Sequence, residues 1–485
     1  MGEGGDLVEM PLWLVPILGG PPRRLGSMLA HSGAWSPNGR KFVYANGSAL
    51  YLTKPDGTGP QELVRGDSDP SILAVRPTWS PDGSRVRFTL HHTVKNVGAL
   101  WEITADGKNL HQLLPGWQSP PMHGGGFWTA DGRYYLFSSW RGLLGTGTAP
   151  AFEIWAVREK TNMLGNRSSV PIQLTVGPLH FSGPIPSLDG KALFATSLQS
   201  RGELMRYDVR TLHLSPYLSG ISAQGVNFSK DGAWMTYVTF PQGELWRCRT
   251  DESERLQLTF PPMIVHDPHW APDGKRIAYS GLQAGGQWQL YLVSADGGAS
   301  QRLLPESEAG IDPTWSPDGN SLLFGQPPTV AADMNDVPQI LKILNLQTRR
   351  VSVVPGSEGL RSPRWSPDGR YILATSVSGD RLVLFDVATQ KWIEQVRGMG
   401  AGWQACSRDA RYVYFLGGYV SGAVGPGIFR VAVNNSNKLE KVLSLKDFRP
   451  AGSFGAWLSL TPDDDPLLLR DVGPPEIYAL SWEAP

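Results

Sequence analysis

Nine histidines are the first candidates for chemistry in this 485-residue chain: His31, His91, His92, His111, His123, His180, His213, His266 and His269. A structural or catalytic metal needs several such ligands converging at short spacing. His266-Asp-Pro-His269 has the most ligand-like spacing. It leads into Trp270 in an extended segment, and two residues three apart on a strand face opposite sides. The alternation therefore favours packing over ligation. His91-His92 has the same facing problem and reads as loop. Asp463-Asp464-Asp465 has the oxygen ligands calcium prefers, but it occupies a repeated turn position and reads as a solvated turn.

Covalent chemistry has no better foothold. The chain contains no Gly-x-Ser-x-Gly elbow, no HExxH and no Walker phosphate loop. Its two cysteines, Cys248 and Cys406, cannot make a disulfide framework and form no CxxC pair. Both read as small buried residues. The expectation is a chain with no catalytic, cofactor-binding or metal-binding residue.

The elements that carry these residues form a repeat. Strong copies are Trp35-Ser-Pro-Asn-Gly39, Trp79-Ser-Pro-Asp-Gly83, Trp128-Thr-Ala-Asp-Gly132, Trp270-Ala-Pro-Asp-Gly274, Trp315-Ser-Pro-Asp-Gly319 and Trp365-Ser-Pro-Asp-Gly369. Weaker copies begin at Pro186, Phe228, Cys406 and Leu460. Successive first positions lie 44, 49, 58, 42, 42, 45, 50, 41 and 54 residues apart. Ten copies at this period fit propeller blades of four strands each.

The motif has a mechanical reading. The indole at its first position ends a strand and can wedge between sheets. The proline presets the turn. Asp82, Asp131, Asp273, Asp318 and Asp368 accept nearby backbone N–H groups, and Gly83, Gly132, Gly274, Gly319 and Gly369 close the turn at positive φ. Aspartates that recur in nearly every blade for this reason are poor catalytic candidates. An apolar strand follows each turn (Arg276-Ile-Ala-Tyr279), then a third strand (Leu290-Tyr-Leu-Val293) and a short outer one (Gln301-Arg-Leu-Leu304). No capped helical period is present, so the fold class is all-β, a tandem β-propeller.

Blade counting gives a domain expectation. Pro171–Thr175 looks like a spare outer strand, and the last unit, which ends in Glu476–Trp482, lacks one. Pairing the two closes a seven-bladed propeller over 170–485 and leaves 1–169 as an incomplete propeller of three to four blades. One irregular ten-bladed ring is the alternative.

Composition narrows the function. Gly (56) and Pro (40) supply turns, 18 tryptophans supply wedges, and charged residues make up only 18 % of the chain. Lys+Arg and Asp+Glu both number 44, with no basic stripe to neutralise phosphates, so no nucleic-acid contact is expected. Met1–Gly20 is acidic and is not a signal peptide. No apolar run is long enough to span a bilayer. As written, the chain reads as cytoplasmic; it would be extracytoplasmic if an upstream segment is missing.

The Trp-Ser-Pro-Asp-Gly strand and the Leu-Tyr-Leu-Val-x-x-Asp-Gly-Gly strand–turn resemble the WD40-like repeats of the bacterial Tol-system periplasmic propeller family. Shorter stretches resemble the C-terminal sensor region of bacterial winged-helix transcriptional regulators. These include Leu12-Trp-Leu-Val-Pro16, Pro216-Tyr-Leu-Ser-Gly-Ile-Ser222, Arg255-Leu-Gln-Leu-Thr-Phe-Pro-Pro262 and Glu476-Ile-Tyr-Ala-Leu480. Such regulators carry a DNA-binding domain before the propeller. This chain has no winged-helix segment and begins in mid-blade, so the resemblance implies an N-terminally shortened protein or a truncated reading frame.

The functional expectation is a non-catalytic binding or sensing module for a protein or small ligand. Contact would be made by the rim loops Trp140–Ala151, Gln326–Val337 and Gly417–Gly427, or by the central funnel. The rival is a hydrolase or lyase with its site in the funnel. Histidines, arginines and carboxylates with perturbed pKa around the channel would favour the enzyme; a plain funnel would favour the module.

Overall fold

The computed structural model describes residues 9–69, 71–93, 97–117, 122–141, 151–159, 170–176, 180–198, 201–283, 286–327, 339–418, 424–433, 435–453 and 455–483. The rim loops expected at Trp140–Ala151 and Gln326–Val337 lie largely outside these residues, and that at Gly417–Gly427 lies outside them at 419–423. The regular elements of the described chain are all β-strands apart from one 3-10 turn at Leu218–Gly220. No helix in it is long and apolar enough to cross a membrane.

The chain divides into two compact units. One combines Met1–Arg141, Pro150–Gln199 and Pro474–Pro485; the other holds Ser200–Gly473. In the first, a hairpin of Met10–Leu14 and Arg23–Ala30 packs on a sheet that starts at Ser32–Trp35. Two further blades, starting at Ile72–Trp79 and Met122–Trp128, are joined by one parallel bridge, Met122 to Gly98. A three-stranded sheet follows, made of Phe181–Pro186, Ala192–Leu198 and the C-terminal strand Pro475–Ser481.

The second unit holds six four-stranded antiparallel sheets. Their innermost strands are Ser459–Leu460, Ala223–Phe228, Ile264–Trp270, Ile311–Trp315, Leu360–Trp365 and Gly402–Cys406. Each packs against the next, and the last against the first, so the sheets form a closed ring. Closure is made by chain segments far apart in sequence. Ser459–Leu460 and Pro466–Asp471 supply the inner half of one sheet, while Gly202–Asp208 and His213–Pro216 supply its outer half. Arg206 and the buried Asp465 clamp this seam, and Asp465 also accepts the Val209 N–H at 3.0 Å.

The expected seven-bladed ring over 170–485 is corrected by these pairings. Ile172–Gln173 pairs with Trp155 and Ala156 of the strand just before it, not with the final blade. Glu476–Ser481 completes the sheet of Ala192–Leu198 instead of the sheet begun at Leu460. The physical reason is locality. An outer strand pairs most readily with the third strand it directly follows, and the terminal strand fills the sheet whose own chain has left it at residue 200.

The repeated motif shares one turn geometry, while its indole is placed differently from copy to copy. Trp79, Trp128, Trp270 and Trp315 are buried, each removing roughly 150–250 Å² from water. Two of the four ring N–H groups reach the neighbouring sheet: Trp79 donates to the Ala34 carbonyl at 3.2 Å and Trp315 to that of His269 at 3.0 Å. Trp365 is half-buried, and Trp35 is 40 % exposed. In the turns, Asp82 accepts the Ser80 hydroxyl and the Ser84 N–H, and Asp131, Asp318 and Asp368 make the same pair of bonds. Asp273 accepts the Lys275 N–H at 2.8 Å. Gly83, Gly132, Gly274, Gly319 and Gly369 all sit at φ between 67° and 76°.

Candidate functional site

Each complete innermost strand of the ring carries a β-bulge just before the motif. The register slips between Gln224 and Asn227, His266 and His269, Ile311 and Thr314, Arg361 and Arg364, and Gly402 and Ala405. The bulge residues Gly225, Asp267, Asp312, Ser362 and Trp403 all have positive φ, from 48° to 60°. The sequence reason is visible in three of the five: the next residue is Pro268, Pro313 or Pro363, which cannot donate to a ladder and settles at bulges. A bulge adds a residue and re-aims the side chains around it.

This overturns the alternation argument applied to His266 and His269. With an extra residue between them they need not face opposite ways, and both interact electrostatically with the Asp267 carboxylate. Among the described residues no His, Cys, Asp and Glu group could hold a metal ion. The expectation for Asp463–Asp465 also changes. Asp465 is buried and ion-paired to Arg206. Burial raises the Asp464 carboxyl above its usual value. Asp465 is a structural clamp, while Asp463 stays exposed in the turn. His91 and His92 end the strand Arg85–His92.

The bulges converge on a half-open cavity of about 210 Å³ at the ring centre. Every innermost strand contributes to its wall, with Asn227, His269, Thr314, Arg364, Gln404 and Ser459. Asp267 Oδ2 lies 2.7 Å from Arg364 Nη2 and 3.4 Å from His269 Nε2. Burial opposes ionisation of Asp267, but Arg364 and then His269 outweigh it and hold the carboxyl below its usual range. His269 Nδ1 lies 3.3 Å from Asn227 Nδ2. An imidazole with its proton on Nε2 accepts from the amide at Nδ1 and turns that proton's side towards the carboxylate, whose Oδ2 is buried without a hydrogen-bond partner.

A second His–Asp pair stands beside the first. His266 Nε2 is 3.6 Å from Asp312 Oδ1, and its ring packs edge-on to Trp288 and Trp403. Burial lowers the His266 pKa against the opposing pull of Asp312 and Asp267, so the ring is neutral near pH 7. Arg361, exposed on the same bulge as Arg364, interacts with Asp312 without forming an ion pair.

Gln404 is the residue that sequence reasoning missed. It is 2 % exposed and donates its amide to the Ser362 carbonyl, while its Oε1 is buried with no hydrogen-bond partner. Its only sequence signal is its place two residues before Cys406, the first position of a weak motif. Cys406 lines the cavity, and burial pushes its thiol pKa up. Cys248 is buried elsewhere and is raised to about 11 by burial. Among the described residues neither forms a disulfide. The turn aspartates lie outside this cavity's wall.

A closed ring of four-stranded antiparallel sheets, with bulged inner strands lining a central cavity, is the architecture of a β-propeller. Residues 223–397 match the family model described as the TolB beta propeller domain. A stretch of 111 residues is 28 % identical to an uncharacterized peptidase, YuxL, of Bacillus subtilis, over 21 % of this chain and 17 % of that one. The chain thus spans under a fifth of that relative's length. An alignment of 261 positions is 24 % identical to an uncharacterized protein of Agrobacterium fabrum, covering 43 % of this chain and 86 % of that one. Among solved structures, a putative TolB from Agrobacterium tumefaciens aligns with a TM-score of 0.45 at 18 % identity, covering 56 % of this chain and 99 % of that one. TolB from Acinetobacter baumannii aligns at 0.38 and 14 % identity, covering 74 % and 83 %.

Proposed function

We propose that the chain is a ligand-binding module whose site is the centre of the six-sheet ring. The observation that carries this reading is the buried, unpartnered Gln404 Oε1 in the wall of a cavity to which all six innermost strands contribute. A buried acceptor without a partner costs about 1–3 kcal/mol. A ligand donor placed on it removes that cost, which makes the site better suited to an occupied than to an empty state. Bond-making chemistry has less support. Burial keeps the Cys406 thiol protonated, and the Asp267 carboxylate binds a proton too weakly to act as a base near neutral pH.

Two observations favour the second reading, an enzyme in the same channel. A neutral histidine beside a carboxylate, as His266 stands beside Asp312, is the arrangement of a general base. A channel carrying histidines, arginines and shifted carboxylates is also what a catalytic funnel requires. A thermal-shift screen of small ligands, run beside a screen of hydrolase and lyase substrates, separates the two readings. The module predicts stabilisation by a ligand without turnover, lost in Gln404→Met. Robust turnover abolished by His266→Ala and Asp312→Asn would replace it with the enzyme. If the resemblance to regulator sensor regions holds, occupancy of this cavity is the state such a sensor would report.

A further inference from the structure

We infer that this cavity takes a neutral, polyhydroxylated ligand of about the size of a single sugar ring. The inference rests on the channel being the binding site, and three features of the wall carry it further. The first is size. The cavity of about 210 Å³ is smaller than the 300–1,000 Å³ usual for drug-sized ligands. An extended peptide could place only a short stretch of chain inside it.

The second feature is charge. Arg364 and Asp267 face each other at 2.7 Å and compensate one another. An entering ion would lose its hydration and meet no net attraction in return. A neutral ligand loses less on entry.

The third feature is the kind of hydrogen bonding on offer. Gln404 Oε1 accepts and has nothing to accept from. Arg364 gives one N–H to the Pro363 carbonyl at 2.8 Å and directs another towards Asp267, and a guanidinium carries five. The wall therefore needs a donor at one point and acceptors at another. A hydroxyl both donates and accepts, and neighbouring hydroxyls on a ring repeat that pairing at short spacing. Trp365, Trp457 and Leu460 supply apolar wall for the C–H faces of such a ring.

Isothermal titration and saturation-transfer NMR with glucose, galactose, mannose and N-acetylglucosamine test the inference, with glucuronate, glucosamine and tri-alanine as charged and peptide probes. Saturable binding of at least one neutral sugar is expected. Gln404→Met should weaken it about tenfold, the equivalent of one hydrogen bond. Its melting temperature should stay within about 4 °C of the parent. Lys391→Ala, on an exposed outer strand, should leave binding unchanged. If Gln404→Met fails to fold, Asn227→Ala should read the same loss. Binding that is equally strong in Gln404→Met and Asn227→Ala would overturn the inference, because the sugar would then sit elsewhere. Binding only of glucuronate, glucosamine or tri-alanine, lost in the same variants, would overturn the ligand class and leave the channel as the site. Absence of binding by all seven probes would overturn the ligand class as well; the broader thermal-shift screen would then decide whether the channel binds anything.

Discussion

Asp267 combines three unfavourable conditions: a positive φ of 48°, burial, and a negative charge. Only the partners around it make that combination stable. The same logic applies in the first unit to Glu102, which is 1 % exposed. It is 2.8 Å from Arg87 Nη2 and 3.1 Å from Arg85 Nη1, while Glu159 lies 2.6 Å from the same Arg87 Nη2. The Arg87 guanidinium also lies 4.7 Å and 4.6 Å from the rings of Trp128 and Tyr135, on the next blade. Glu102→Ala leaves a buried arginine short of a partner and should cost about 3–5 kcal/mol, read from the urea midpoint. A cost under about 1 kcal/mol would mean that solvent reaches this network.

The turn aspartates set the response to acid. Hydrogen bonds, those from the Ser80 and Thr129 hydroxyls first, hold Asp82 and Asp131 down to about 2. Unfolding returns them to about 3.9. Their stabilisation is therefore complete above about pH 4 and disappears as the pH falls towards 2. His266 and His180, whose pKa values burial lowers, add a gentler loss that begins below about pH 6.5, where only the unfolded chain takes up their protons readily. A melting-temperature profile should thus decline slightly from pH 7 to 5 and steeply below 4. A rise in stability on acidification would contradict the hydrogen-bond roles of these carboxylates.

At the scale of the element, the repeated turn was legible in the sequence because Pro, Asp and Gly each have one conformational use there. The bulge before it was less legible. Pairing by simple alternation assumes two residues per repeat, and His266-Asp-Pro-His269 breaks that count by one. The clue was present in Asp267-Pro268, Asp312-Pro313 and Ser362-Pro363, where a proline sits inside a segment otherwise reading as strand. Gly225 and Trp403 occupy the same bulge without a following proline, so the pattern is incomplete in sequence and regular only in space. Gln404 was not legible at all, because nothing in its type or neighbours marks a carbonyl left without a donor.

The wedge role of the motif's indole can be tested by contrast. Trp315 is 6 % exposed and bonded to the preceding sheet, whereas Trp35 is 40 % exposed. Trp315→Ala should cost about 3–5 kcal/mol and Trp35→Ala about 1 kcal/mol in chemical denaturation. Equal losses would show that the indole acts within its own turn and not between sheets.

At the scale of the molecule, the four-stranded repeat was readable and its closure was not. A two-residue strand such as Ile172–Gln173 fits any outer position equally well by pattern, and only the three-dimensional path chooses its partner. The chain enters the ring at residue 201 and leaves it near residue 472, so each unit is completed by a strand from the opposite end of the sequence. Removing residues 474–485 should expose the Ala192–Leu198 edge and raise its hydrogen exchange. The protection of Trp234–Thr239, Arg276–Leu282 and Ser321–Gly325 in the ring should stay as it was. Loss of protection in those strands would contradict the assignment of the terminal strand to the first unit alone.

The ring centre is where residue, bulge and closure meet, and a crystal structure of the protein soaked with its best thermal-shift ligand tests that claim most directly. The account predicts ligand density between Gln404, Asp267, Arg364 and His269, with a ligand donor on Gln404 Oε1. Ligand density at any other place, with only water in the channel, would contradict it.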